Sequence, residues 1–299
     1  MDFGKVAYNL LDTIDFTLPP EPLINKEVLP GKRVENPRVY VGCPRWSVKE
    51  WVGKLYPKGT KDSHFLDEYV RQFNCIELNS TFYNLYDEAA IAKWAAKAGE
   101  SDFKFCPKLF QGISHEGHLE YKGPLTQAFE KMVSAFGRHL GPSFLQLSDG
   151  FGPQRKKELG HYLQHVTPSF FLFLELRHPG WFTGGETERL VQFLRKVQKG
   201  MVITDTAGRR DCCHMHLAGS CSLVRFVANN LHPTDYARIN GWVERIAFWI
   251  ENGLSELYFI IHMPEEKHSP EVAGYLVDRL NAACGLRLKK PVLLQQELF

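Results

Sequence analysis

The sequence predicts an α/β protein folded as a TIM-like (β/α)8 barrel, a single domain with an N-terminal extension. Three observations lead there. From Arg38 onward, eight short apolar runs alternate with longer amphipathic segments, the pattern of a parallel sheet with helical crossovers. Each run also delivers a charged or hydrogen-bonding residue at or near its end, as expected where strand exits share one rim. The rival open, doubly wound sheet would carry a glycine-rich phosphate turn after its first strand, and "VGCPRW" has one glycine.

Residues 1–36 stand apart as an N-terminal extended arm. A short helical pattern at Val6, Leu10, Leu11 and Ile14 gives way to a stretch broken by Pro19, Pro20, Pro22 and Pro30. The barrel domain is expected over 37–299. Its strands are "RVYVG" (38–42), "CIELN" (75–79), "FKFCP" (103–107), "FLQL" (144–147), "FFLFLEL" (170–176), "MVIT" (201–204), "SLVRF" (222–226) and "LYFII" (257–261). Helical spacing separates them: Phe65, Leu66, Tyr69, Val70 and Phe73 share one apolar face, and Leu125, Phe129, Met132, Val133 and Phe136 another. Ile239, Val243, Ile246 and Ile250 describe a later helix that Gly253 can end. "SPEVAGYLVDRLN" opens with Ser269 as a cap and Pro270 at the first helical position. Eight βα units close a barrel.

Composition narrows the class of function. The 299 residues are 44% hydrophobic, enough for a large core, and 36 basic against 34 acidic residues leave a formal charge of +2. Such a balance imposes no long-range field toward nucleic acid or an anionic membrane, so anion binding must be local. Seven cysteines, three of them (Cys43, Cys75, Cys106) in or beside strands, read as reduced apolar residues. The opening "MDFGKVAYNLLDTIDFTLPP" lacks the basic start and unbroken apolar core of a signal peptide, and no stretch reaches membrane-spanning length. A cytoplasmic protein is expected.

Polar residues gather at the strand exits, where a barrel builds its active site. Strand one leads to Arg45 and Trp46, and strand two carries Glu77 and Asn79 on one face and runs into Tyr83. Strand three carries Lys104 and leads to Lys108 and, in its loop, His115. Strand four holds Gln146 and strand five Glu175 and Arg177, with His178 and Trp181 beyond. Strand six ends at Asp205, strand seven holds Arg225 and strand eight ends at His262. The alternative for Glu77, Lys104, Glu175 and Arg177 is an ion-pair network that plugs the barrel, since buried charges persist only when paired.

The ordered motifs "YVGCPRW", "WVGKLYP", "IELNSTFY", "LFLELRHPGW", "VITDTAG" and "LVRF" resemble those of the YecE-like family, also called domain of unknown function 72, over about residues 38–283. The resemblance implies a TIM-like barrel with unassigned activity. It also implies a pocket near Glu77, Asn79, Phe82 and Tyr83 from one motif and Glu175, Arg177, His178 and Trp181 from another. "YFIIHMPEE" departs from the family pattern, which commonly ends there in paired asparagines, and marks His262 as a subgroup feature.

The expected function is an enzyme acting by acid–base chemistry on a small anionic substrate, phosphorylated or carboxylated. Glu175, His178, Asp205 and His115 are the catalytic candidates; Arg45, Glu77, Asn79, Tyr83, Lys108, Gln146, Arg177, Trp181, Arg225 and His262 are the binding candidates. Cations lower a neighbouring carboxyl pKa, which makes Glu175 a base and leaves His178 or His115 to donate protons. A metal-assisted hydrolase or isomerase is the first alternative. Lysines and arginines compete for the same carboxylates, and "CCHMH" (212–216) lacks separated ligand pairs, so neither a metal nor a cofactor is assigned. A nucleotide- or nucleic-acid-binding module is the second, although "RKK" at 155–157 reads as a solvated face and no nucleic-acid motif is present. No membrane partner is expected, and the sequence assigns no oligomeric state.

Overall fold

The computed structural model describes residues 3–119 and 122–294. Eight parallel strands form the sheet: β1 (Arg38–Cys43), β2 (Cys75–Leu78), β3 (Lys104–Pro107), β4 (Ser143–Gln146), β5 (Leu172–Glu175), β6 (Gly200–Asp205), β7 (Cys221–Val227) and β8 (Glu256–His262). They run β3-β2-β1-β8-β7-β6-β5-β4 around the barrel. The β3–β4 seam is joined by isolated bridges at Phe105–Leu140 and Lys108–Phe144, so the ring is nearly closed. There, Leu109 N donates to Phe144 O (3.0 Å) and Gly141 N to Phe105 O (2.8 Å).

Around the sheet lie α1 (Phe65–Gln72), α2 (Ser80–Tyr83), α3 (Glu88–Ala98), α4 (Gln111–Ser114), α5 (Gly123–Ser134), α6 (Lys156–His165), α7 (Glu186–Lys196), α8 (Pro233–Asn252) and α9 (Ser269–Cys284). The one-turn helices α2 and α4 shape the loops after β2 and β3; the longer ones cover the barrel. Helix α1 buries Phe65, Leu66 and Tyr69, the face its spacing predicts. Helix α8 begins with Pro233 and ends at Gly253, whose φ of 120° side chains rarely tolerate. Ser269 does not cap α9 as expected. It is the helix's first residue, and its hydroxyl donates to Glu266 Oε2 (2.6 Å).

One crossover departs from the predicted repeat. Between β6 and β7 the chain makes only a 3-10 turn, Arg210–Cys212, and no α-helix. The N-terminal arm packs on this stretch. Asn25, 1% exposed, donates from Nδ2 to Met215 O (2.7 Å) and accepts from Leu217 N (2.8 Å). Arg195 of α7 holds Ile24 O (2.9 Å), while Arg245 and Trp249 of α8 hold Glu21 Oε2 (2.7 and 2.9 Å). The arm thus bonds to both α7 and α8, on either side of the crossover that lacks a helix.

Alternation along the strands stacks the interior in layers. Toward the strand starts, Tyr40 and Tyr258 stack at 4.7 Å, and Cys75, Cys106, Phe144, Phe173, Val202, Leu223 and Ile260 complete an apolar plug. Two residues further along the strands from Cys75, Phe144, Phe173, Val202, Leu223 and Ile260 come Glu77, Gln146, Glu175, Thr204, Arg225 and His262, all buried. Gly42 is required where β1 meets β2, since a Cβ there would stand 2.0 Å from Cys75 O. Among the described residues no helix is long and apolar enough to cross a membrane.

Candidate functional site

Arg225 organises the polar layer. Its Nε and Nη2 donate to Glu77 Oε2 and Oε1 (2.8 and 2.9 Å), and its Nη1 donates to Glu175 Oε2 (2.7 Å). A planar guanidinium can serve two carboxylates in this way, whereas an ammonium lacks the fork. Asn79 Nδ2 donates to Glu77 Oε1 (2.9 Å), and His262 Nε2 lies 3.0 Å from Glu77 Oε2. Glu175 also accepts from Gln146 Nε2 (2.9 Å) and Thr204 Oγ1 (3.2 Å), and Arg177 Nε lies 3.4 Å from its Oε1. Lys108 Nζ donates to Gln146 Oε1 (2.8 Å), and its ammonium sits 4.0 Å from the centre of the Phe82 ring.

Above this layer opens a cavity of about 930 Å³. Arg45, Asn79, Tyr83 and Lys108 line it, as do His115, Gln146, Arg177, Arg225 and His262. Glu77 and Glu175 lie beneath, bonded to residues of that wall. An ion-paired layer of Glu77, Glu175, Arg177 and Arg225 and an open cavity therefore lie one above the other, and Lys104 belongs to neither.

Electrostatics divides the acids. Burial alone would raise the carboxyl of Glu175, but Arg225, Arg177, Gln146 and Lys108 outweigh it and hold the group at about 2. Glu77 is likewise held well below the carboxylate range, Arg225 and His262 overcoming its burial. Lys108 is brought down to about 8 by burial and then by Arg225, with Arg177 adding to the effect against the pull of Glu175 and Glu77. The His115 imidazole is lowered by desolvation and by the Lys108 and Arg177 charges.

Glu266 behaves oppositely. It lines the cavity from the loop after β8, and burial raises its carboxyl despite the Ser269 hydroxyl and the charges of His262 and Arg45. The residue was absent from the sequence-derived candidates. Its signal was available, since it follows a strand exit in "HMPEEKHSP", but adjacent acids in a loop read as solvated. Lys267 joins it on the wall, paired with Glu265 (2.5 Å).

Four expected residues are set apart. Asp205 is buried on the opposite side of β6 from Thr204, where Arg238 (2.9 Å), Arg210 and Trp242 Nε1 (2.7 Å) enclose it; the two arginines overcome its burial and lower its pKa. His178 accepts from Gly180 N (3.0 Å) and caps the 3-10 turn Pro179–Phe182. Trp181 is 1% exposed and donates to Phe151 O (2.7 Å), sealing the core beside β5. Lys104 lies at the opposite end, with Nζ on Arg138 O (2.6 Å). Among the described residues no group of three His, Cys, Asp or Glu side chains is arranged to hold a metal ion.

Eight parallel strands, and a polar cavity at their C-terminal ends floored by ion pairs, define a TIM-barrel protein with an open cavity at the rim. Within that class the chain belongs to the DUF72 family: the family model described as "Protein of unknown function DUF72" matches residues 40–295. The UPF0759 protein YecE of Escherichia coli (strain K12) is 29% identical over 261 residues, covering 81% of this chain and 92% of that protein. A DUF72 family protein of Enterococcus faecalis superposes with a TM-score of 0.64 at 17% identity, over 87% of this chain and 100% of that one. Another, from Thermotoga maritima, gives 0.55 at 20% identity, over 75% and 92%. These likenesses agree on the barrel and assign no reaction.

Proposed function

We propose that this protein is an enzyme that binds a small anionic substrate, phosphorylated or carboxylated, at the barrel mouth and moves a proton on it. The observation that carries this reading is the state of Lys108. At the base of the cavity Arg225, Lys108 and Arg177 gather around Glu77 and Glu175, and both carboxylates are already engaged by Arg225. Burial first, and then the charge of Arg225 with a smaller part from Arg177, makes the Lys108 ammonium costly and brings its pKa to about 8. An anion above Lys108 and Arg177 would relieve that cost. Arg45 at the outer wall adds a further cation.

The proton-transfer role falls to a group other than those first expected. Glu175, held at about 2, is too weak a base for this work and serves to orient Arg177 and Arg225. Glu266, whose carboxyl burial raises, is the group on the cavity wall suited to this role.

A melting-temperature panel of phosphate esters and carboxylates tests the reading. A ligand at a hundred times its Kd adds about 2.7 kcal/mol of stability. Stabilisation should appear with members of one of these classes and be lost in Arg177→Ala and Lys108→Met. For a ligand that is turned over, Glu266→Gln should keep binding and lose turnover. Indifference of the protein to every anion, or undiminished responses in both cation variants, would reject the proposal.

A further inference from the structure

Beside the polar cavity lies a second chamber of about 400 Å³ whose walls are of a different kind. Pro44, Arg45, Ser47, Asn79 and Tyr83 line both spaces, so the two adjoin along that wall. Beyond that shared wall stand Trp46, Tyr86 and Trp94. Trp94 meets Trp46 edge-to-face at 5.6 Å and Tyr86 at 4.8 Å. All three rings are only half-buried, so part of their apolar surface faces the chamber rather than the core.

The polar groups here are few. Glu77, at the inner end, already accepts from Arg225 and Asn79 and faces His262. Ser80 Oγ is shielded from solvent and has no hydrogen-bond partner among the described residues. Beyond the shared wall, a polyhydroxylated sugar would set its hydroxyls against aromatic faces. A flat ring matches the aromatic walls, and its polar edge would face the Arg45, Ser47 and Asn79 side of the chamber.

We propose that the ligand is bipartite: an anionic group above Lys108 and Arg177, joined to a planar heteroaromatic ring held among Trp46, Tyr86 and Trp94, as in a nucleoside monophosphate. The inference rests on the anion reading of the adjoining cavity for one half of the ligand and on the aromatic chamber alone for the other. The chamber then sets specificity, because ring-free anions fill only the polar half.

Calorimetric titration with adenosine 5′-monophosphate, ribose 5-phosphate and adenosine, read together with tryptophan fluorescence, separates the two halves. The nucleotide should bind at least tenfold tighter than ribose 5-phosphate and quench tryptophan emission. Trp94→Ala should bring the two affinities together while leaving that of ribose 5-phosphate unchanged. Trp46→Ala, in a loop, should act the same way and serves if the helix variant melts abnormally. Equal affinity of the nucleotide and ribose 5-phosphate would overturn the bipartite ligand and leave the anion site standing. Binding and quenching by adenosine with no response to either phosphate would keep the chamber and reject the anion site. Silence toward all three would reject both.

Discussion

Arg225 is the residue on which the site depends. It lies 148 residues from Glu77 and 50 from Glu175, yet it is the shared partner of both, and all three are 1% exposed. Arg225→Met would strand two carboxylates in the core, and breaking such a pair costs about 3–5 kcal/mol. Chemical denaturation should show that loss, and acidification should partly restore the variant as its carboxylates take up protons. Lys108 carries the pH dependence of binding. Its pKa of about 8 lies below that of a free lysine, so the free protein loses this charge as pH rises through 8, and a bound anion would raise the pKa again. Anion affinity should therefore fall above pH 8 at a limiting slope of about tenfold per unit, with proton uptake on binding. Calorimetry in buffers of different ionisation enthalpy measures both, and Lys108→Met should abolish them.

Strand β6 shows how an element sorts residues that look alike in sequence. Thr204 and Asp205 are neighbours, and the pleat sends them to opposite faces: Thr204 to Glu175 inside the barrel, Asp205 to Arg238 and Trp242 under α8. Asp205→Ala should cost about 3–5 kcal/mol by leaving Arg238 buried without its carboxylate. Anion affinity should be unchanged at temperatures where the variant is folded, which binding titrations can check. The strand-exit rule located Asp205 at the right height and on the wrong side. A half-buried strand would have shown its inward face by alternation, but β6 is buried from Met201 to Asp205, and a strand covered on both faces carries no such signal. The same rule leads to Lys108, Gln146, Arg177 and His262, which line the cavity because each continues the parity of an inward residue or lies past the strand end.

On the scale of the whole molecule, the arm and the barrel are one structure. The crossover from β6 to β7 lacks a helix, and the arm bonds to that crossover and to α7 and α8 beside it. The chain then reaches the barrel mouth, where Phe3 stacks on Arg177 with its ring centre 4.2 Å from the guanidinium carbon. Asn25→Ala would leave Met215 O and Leu217 N without their partner, at a cost of about 1–3 kcal/mol. Thermal melts should show one cooperative transition at lower temperature. An early separate transition would mean that the arm detaches independently of the barrel.

The sequence by itself determined the eight strands, their parallel order of connection, and the rim at which charged side chains gather. Those features are local, written in apolar run lengths and in the residues that end them. Only the tertiary structure decided which of these side chains meet, that Glu175 is spent on Arg225 and Glu266 is not, and that an arm stands where a helix was expected. Pairing across a barrel joins residues far apart in the chain, and whether a carboxyl is held ionised or pushed toward its neutral form depends on those distant neighbours and on burial, neither of which any one segment records.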